Sequence, residues 1–169
     1  MSLLFFGPPG CGKTTAGRLI NPDNTYEINC AEQSSIDMVR TLRRTCSSVS
    51  FDGSRRIVLL DEADGLSKDA QAALRGVVEA MSSNNDFVMT ANNPEKLLPA
   101  IKSRFMPIDF EPVRDPALLS QVEIRLSEIA GQEGHRQLPR GYVKSIVRNH
   151  FPDIRLMLKC LQFDLGSAH

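Results

Sequence analysis

The sequence lacks an excess of charge of either sign, because 20 Lys and Arg residues balance 20 Asp and Glu residues over 169 positions. A neutral chain does not hold nucleic acid by bulk charge, so any such binding must use a local patch. No apolar run approaches the roughly 18 residues that a membrane span needs. Residues 1–6 also lack the basic segment that opens a signal peptide.

Cysteine is scarce and unpatterned in this sequence. The four cysteines form no C-x-x-C pair and no Cys/His ligand pattern; they are Cys11, Cys30, Cys46 and Cys160. This spacing predicts reduced thiols in a cytoplasmic protein, with neither a disulfide framework nor zinc. The composition, 41% hydrophobic and 24% charged, is typical of a globular chain. The length predicts one domain, or one domain with a small appendage.

Short apolar runs alternate with helical patterns over the first two thirds of the chain. The pattern predicts five strands, the last the weakest, at residues 3–6, 25–29, 57–60, 87–90 and 107–110. Helical spacing predicts helices over residues 13–20, 35–46 and 68–81, with Ser67 as the N-cap of the third. Strands that alternate with helices favour right-handed βαβ units and a parallel sheet covered on both faces.

The pattern changes after Phe110. A charged, turn-rich connector covers residues 111–116, and beyond it only helical spacing remains. The apolar residues mark three helices, the first ending at Gly131 and the third following Pro152. We therefore expect two domains, an α/β domain over residues 1–112 and a small three-helix lid over residues 113–169.

The motif with the most specific chemistry is a full G-x-x-x-x-G-K-T, which lies between a predicted strand and a predicted helix. Its residues, with the next threonine, are Gly7, Pro8, Pro9, Gly10, Cys11, Gly12, Lys13, Thr14 and Thr15. In this motif the backbone N–H groups surround a phosphate, the lysine reaches the terminal phosphates and the threonine hydroxyl holds Mg²⁺. The alternative, a simple Gly-Pro turn, does not account for every fixed position being filled.

A pair of carboxylates, Asp61 and Glu62, ends the third predicted strand. Ligands of open α/β sheets sit at the carboxyl ends of strands. Asp61 can therefore bind Mg²⁺, and Glu62 can polarise the attacking water. A solvated acidic turn is the alternative interpretation. The tetrapeptide from Asp61 to Asp64 also spells the name of a helicase class, but those enzymes need two tandem motor domains.

Several stretches beyond these two motifs resemble the AAA+ ATPases and, among them, the clamp loaders of DNA polymerases, most closely those of T-even-type phages. The stretches are residues 28–30, 50–53, 60–64, 71–75, 90–93, 102–104 and 151–155. The resemblance covers nearly the whole chain. It implies a P-loop ATPase of AAA+ type with a lid. In the family, a segment precedes the first strand and a collar follows the lid; we expect an ATPase core and lid without these parts.

The resemblance also assigns roles to single residues. It implies that Asn92 is the polar sensor, that Arg155 touches the nucleotide from the lid, and that Arg104 acts in trans on the ATP of a neighbouring subunit. It further implies that Asn29 is a switch that restrains Glu62. The plainer alternatives are an Asn-Asn-Pro turn for Asn92 and an exposed ion pair for Arg155.

A local excess of arginine follows the second strand. Arg40, Arg43 and Arg44 fall at roughly helical spacing, with Arg55 and Arg56 nearby in sequence. Such a face can bind a phosphate backbone, but a solvated helix face is about as common. The resemblance favours DNA, because clamp loaders line their central channel with this helix.

Together these features predict binding and hydrolysis of ATP with Mg²⁺, used to load a sliding clamp onto primer–template DNA. The resemblance implies three partners, which are the clamp, primed DNA and other subunits of a ring, in the cytoplasm of a bacterial or phage-infected cell. Two alternatives remain: another AAA+ DNA motor for branch migration or helicase loading, and a nucleotide-dependent scaffold with little turnover.

Overall fold

A computed structural model describes residues 1–47, 54–133 and 138–166, with side chains as far as residue 163. The stretch 50–53, which carries part of the family resemblance, lies outside the described residues. Five strands form one sheet at the positions that the sequence predicts. They are β1 (Ser2–Phe6), β2 (Thr25–Asn29), β3 (Arg56–Asp61), β4 (Asn85–Ala91) and β5 (Met106–Asp109).

All neighbouring strands are parallel, and their order across the sheet is β2-β3-β4-β1-β5. The central strands are apolar on both faces, as the fully hydrophobic run from Ile57 to Leu60 requires. β5 pairs only with β1, and it contains Pro107, which lacks a backbone N–H. Proline is tolerated at an edge strand for that reason, and this explains the weak pattern of the fifth strand.

The described part of the first unit contains four helices beside the sheet: α1 (Lys13–Leu19), α2 (Ile36–Cys46), α3 (Lys68–Met81) and α4 (Pro99–Lys102). Ser67 is the N-cap of α3, as predicted, because its hydroxyl accepts a hydrogen bond from the Ala70 N–H at 3.2 Å. Three single 3₁₀ turns and the short α4 were not predicted, since one turn carries too little periodicity to be recognised.

Helices pack on both faces of the sheet, which confirms the predicted α/β class. The larger core includes Leu42, Leu60, Leu74 and Met89. On the other face, a smaller core contains Leu59 and Val88. Here α1 approaches the sheet so closely that a Cβ on Gly17 would lie 2.7 Å from the Leu59 Cδ1. A larger residue at this position would require the Leu59 side chain to shift, so glycine allows the close approach of the helix that carries Lys13 and Thr14.

A second unit comprises Pro8–Cys11 and Glu111–His169, whereas the first comprises Met1–Gly7 and Gly12–Phe110. The described part of the second unit contains α5 (Pro116–Gln132), α6 (Tyr142–His150) and α7 (Ile154–Gly166). Its core includes Leu126, Val147, Met157 and Leu161. α5 continues through Gly131 for one residue, so the glycine does not end the helix as the sequence indicated.

None of the helices in the described ranges combines the length and apolarity that a membrane span needs. The four cysteines are free thiols in the structure. Burial raises the pKa of the Cys46 thiol to about 11. Burial also raises the pKa of the Cys30 thiol, to about 12, and the nearby carboxylates of Asp61, Asp64 and Glu62 add to this effect. Both thiols are therefore protonated at neutral pH.

Candidate nucleotide-binding site

The strand order places the candidate residues at one edge of the sheet. All five strands are parallel, so their carboxyl ends meet at the same edge. β4 lies between β1 and β3, and the end of β4 therefore lies between the Gly-rich loop and the acidic pair. Polar side chains of β4 and of the turn after it can therefore contact both the Gly-rich loop and the acidic pair.

Lys13 begins α1 and is 93% buried, although it carries a charge. Its Nζ donates to the Gly7 carbonyl at 2.9 Å and to the Asn92 Oδ1 at 2.9 Å. The structure therefore brings together the lysine of the Gly-rich motif and the predicted sensor residue, which are 79 positions apart in the chain.

Asp61 is the centre of a second hydrogen-bond network. Its Oδ1 accepts the Thr14 hydroxyl at 2.7 Å and the Thr90 hydroxyl at 2.6 Å. A hydroxyl and a carboxylate are the hard oxygen ligands that Mg²⁺ prefers. No three His, Cys, Asp or Glu side chains within the described ranges form a metal-binding group. The chain itself thus offers two oxygen ligands at this point, which fits a cation shared with phosphates and water.

Glu62 has the only positive φ among non-glycine residues of the described chain, at 53°. This left-handed conformation is uncommon for a residue with a Cβ. The Glu62 N–H donates to the Thr90 Oγ1 at 3.0 Å, which holds the backbone in place. The Glu62 carboxylate is exposed and has no hydrogen-bond or ion-pair partner among the described residues. It is therefore available to a water or substrate at this edge.

Asn29 lies at the same edge, in register with Asp61. Its amide Nδ2 donates to the Glu32 Oε1 at 3.1 Å, and its Oδ1 accepts the Ala31 N–H at 3.0 Å. These bonds fix Asn29 within its own turn and do not involve Glu62. The restraint of Glu62 by Asn29 stays a prediction.

The middle of the Gly-rich loop belongs to the second unit. There the Gly10 carbonyl accepts the Ile154 N–H at 3.1 Å, at the start of α7. A Cβ on Gly10 would lie 1.9 Å from the Asp153 Oδ1, and the φ of Gly10 is 75°. Both facts require glycine at this position. Arg155, the predicted lid arginine, is the next residue of α7 and is exposed. Its contact with nucleotide stays a prediction.

Arg104 follows α4 and is exposed. Its Nε donates to the Glu79 Oε1 at 2.7 Å, and its Nη2 forms an ion pair with the same oxygen at 2.5 Å. Arg104 makes no contact with the Glu62 side chain of its own chain in the described ranges. The predicted action of Arg104 on the ATP of a neighbouring subunit stays a prediction.

The arginines of the possible DNA-binding face divide into two groups. Arg40, Arg43 and Arg44 are exposed on α2, and among the described residues the only ion pair of these three joins Arg40 to Asp37 at 2.6 Å. Arg55 instead forms a two-point ion pair with Asp86, and the Arg56 Nη1 donates to the Thr45 carbonyl at 2.6 Å. Arg55 and Arg56 are thus engaged in contacts within the fold, and among the described arginines the α2 group remains as the candidate DNA face.

Thr90 is the site residue that sequence reasoning missed. It is 99% buried, and its hydroxyl links the Asp61 carboxylate to the Glu62 backbone. A threonine near the end of an apolar strand gives no signal by itself, because threonine is common in strands. Thr90 can be recognised as a site residue only once β4 is known to lie beside β3, which carries Asp61. The local sequence does not predict which strands are neighbours.

Three features define the class of P-loop nucleotide-binding proteins. They are a parallel sheet, the buried Lys13 after the first strand, and the hydrogen bond from Thr14, the next residue, to the Asp61 carboxylate. Residues 3–112 match the family described as "ATPase family associated with various cellular activities (AAA)". The chain belongs to this AAA ATPase family.

Curated relatives of the chain are subunits of replication factor C. The chain is 37% identical to the replication factor C small subunit of Natronomonas pharaonis, over 95% of this chain and 50% of that protein. It is 35% identical to replication factor C subunit 3 of Blastobotrys adeninivorans, over 98% of this chain and 51% of that protein. The chain thus spans about half the length of these relatives.

Solved structures of RuvB from Thermotoga maritima have the same fold. A structure titled as the RuvB Holliday junction branch migration motor aligns with a TM-score of 0.75 at 17% identity, over 95% of this chain and 53% of that chain. A structure of a RuvB point variant from the same organism aligns equally well. At this identity the likeness concerns the fold alone.

Proposed function

We propose that this chain is the ATPase portion of a clamp-loader subunit, which binds and hydrolyses ATP to load a sliding clamp onto primer–template DNA. The observation that carries the ATPase part is the Thr14–Asp61–Thr90 network beside the Lys13–Asn92 pair. The clamp-loader part is supported by the names of the relatives, which are replication factor C subunits.

The chemistry of each residue follows from its position. Lys13 would bind the terminal phosphates, and Thr14 and Asp61 would hold Mg²⁺, which would neutralise charge on those phosphates. Glu62 accepts a proton from the attacking water, and its fixed backbone aims the free carboxylate. Asn92, which accepts a hydrogen bond from Lys13, orients the water or the γ-phosphate. The remaining loop residues and Arg155 contact the nucleotide as the sequence predicts.

The partners and the setting are part of the same proposal. We assign residues 1–112 to the ATPase domain and residues 113–169 to the lid, and we expect a clamp, primed DNA and other subunits as partners. The T-even-type phage affiliation, and with it a bacterial or phage-infected cytoplasm, rests on the sequence stretches described above. The relatives named above are from Natronomonas pharaonis and Blastobotrys adeninivorans.

The most direct experiment measures ATP hydrolysis by the purified chain, alone and with a sliding clamp and primed DNA. A rise in turnover that needs clamp and DNA together supports clamp loading. A branch-migration or helicase-loading motor would respond to junction DNA or capture a helicase instead. ATP binding without turnover under every condition would favour the nucleotide-dependent scaffold.

Two variants separate binding from chemistry. Glu62→Gln keeps the shape but not the basic carboxylate, so ATP should bind normally while hydrolysis falls by roughly 10²–10⁴-fold. Lys13→Ala removes a charge from the bound phosphates and should lose ATP affinity itself. Nucleotide binding measured by fluorescence and turnover measured by phosphate release distinguish the two. Equal loss of binding in both variants would contradict this assignment.

A further inference from the structure

The exposed carboxylate of Glu79 forms ion pairs with two arginines on the surface of the first unit. Besides Arg104, the Arg75 Nε donates to the Glu79 Oε1 at 3.1 Å. Arg75 and Glu79 are one helical turn apart on α3, whereas Arg104 comes from the turn after α4. Both arginines lower the pKa of Glu79, the Arg104 hydrogen bond more than that of Arg75. The carboxylate is therefore charged at neutral pH.

The backbones on both sides of this contact are fixed by burial. Val78 precedes Glu79 and is 97% buried, and Ile101 and Phe105 flank the turn of Arg104 and are buried as well. The Arg104 N–H also donates to the Ile101 carbonyl at 3.0 Å. A long arginine side chain has many rotamers. With the backbones fixed, the Glu79 contact is what selects one of them.

The contact leaves part of the Arg104 guanidinium accessible. Among the described residues, the Nε and Nη2 atoms of Arg104 contact Glu79, whereas Nη1 donates no hydrogen bond and forms no ion pair. Exposed ion pairs contribute little to stability. A guanidinium that is oriented from one side and open on the other is arranged to bind a second anion, such as a phosphate.

We infer that Glu79 is a positioning residue for Arg104, which it holds in the orientation that reaches the ATP of a neighbouring subunit. The inference rests on the proposed function, in which Arg104 acts in trans. It assigns to Glu79 no contact with the nucleotide, because Glu79 acts only through the arginine.

The first test is a kinetic comparison of Glu79→Ala, Glu79→Gln and the wild-type chain. A mispositioned catalytic group costs on the order of 10²-fold in rate, so we expect kcat of Glu79→Ala to fall by about 10–100-fold with an unchanged KM for ATP. Glu79→Gln keeps one acceptor oxygen and should recover part of the rate. Glu128→Ala removes a comparable exposed pair with Arg125 and serves as the control.

The second test uses mixtures of variants in equal amounts. Glu79→Ala mixed with Glu62→Gln should regain activity, because Glu62→Gln chains supply a well-positioned Arg104 to chains with an intact Glu62. Glu79→Ala mixed with Arg104→Ala should regain none, because both lack the same contribution. In the Arg104→Ala background, Glu79→Ala should cause no further loss.

The outcomes separate the inference from the proposed function. A wild-type chain that never hydrolyses ATP would overturn both. An active wild type with a fully active Arg104→Ala variant would overturn the role of Arg104, and with it that of Glu79. If Arg104→Ala is inactive but Glu79→Ala is as active as the Glu128→Ala control, or more active than the wild type, only the inference about Glu79 is wrong.

Discussion

At the scale of single residues, the site depends on hydroxyl groups that orient a carboxylate. Thr14 and Thr90 approach the Asp61 Oδ1 from α1 and from β4. Thr90 also accepts the Glu62 N–H, so one buried hydroxyl positions both acidic residues. A change at Thr90 should therefore affect the metal ligand and the candidate base together, although Thr90 itself has neither role.

Replacement of Thr90 by valine tests this arrangement, because valine keeps the shape and removes the hydroxyl. The part-buried Glu62 N–H would lose its acceptor, and the loss of such a hydrogen bond costs about 0.5–1.5 kcal/mol. We expect lower stability in chemical denaturation and a weaker dependence of ATP binding on Mg²⁺. Thr90→Ser retains the hydroxyl and is the matched control. Wild-type stability and Mg²⁺ dependence in Thr90→Val would show that the two bonds are dispensable.

At the scale of the elements, the local sequence predicts most of what the structure contains. Fully apolar runs such as the one ending at Leu60 mark buried strands, and Ser67 marks the start of α3, because both signals are local. The short α4 and the continuation of α5 through Gly131 were missed. One turn lacks periodicity, and a glycine weakens a helix without necessarily ending it.

The parts of the site that escaped prediction depend on pairing between distant segments. The sequence identified Lys13, Asp61 and Asn92 by motif, but the Lys13–Asn92 bond and the role of Thr90 require β4 to lie between β1 and β3. The Arg104–Glu79 contact likewise joins α3 to the turn after α4. Residue spacing along the chain does not predict which distant segments become neighbours in the fold.

Helix α2 is the element for which a DNA-binding role can be tested separately. Its Arg40, Arg43 and Arg44 are exposed, and an exposed pair such as Arg40–Asp37 at 2.6 Å does not compete strongly with a phosphate. Alanine at all three positions should weaken primer–template binding equally for all sequences. The slope of log affinity against log salt should fall by roughly one per lost contact.

The control for this experiment is Arg125→Ala on α5, which removes an exposed arginine that also pairs with an acidic neighbour. Binding to primed DNA is measured by fluorescence anisotropy at several salt concentrations. Basal ATP hydrolysis should change little in either protein, because among the described residues none of these arginines bonds to a residue of the candidate site. An unaltered salt slope in the triple variant would show that α2 is a solvated face.

At the scale of the whole molecule, the described chain does not complete its own site with an arginine from position 104. Arg104 is bonded to Glu79 and makes no contact with the carboxylates at the sheet edge. If the proposed function holds, the missing positive charge comes from another copy or subunit. Turnover then requires association, and association depends on concentration.

We therefore expect ATP hydrolysis per molecule to rise with protein concentration, while ATP binding per molecule stays constant. An arginine supplied in trans is worth on the order of 10³–10⁵ in rate in related phosphoryl transfers, so dilute protein should be nearly inactive. Equal mixtures of Arg104→Ala and Glu62→Gln should regain part of the activity, and the regained share should also rise with concentration. Phosphate release over a dilution series, with light scattering to follow assembly, checks both effects. Turnover that is constant across the series, without rescue in the mixture, would make Arg104 a structural partner of Glu79 and nothing more.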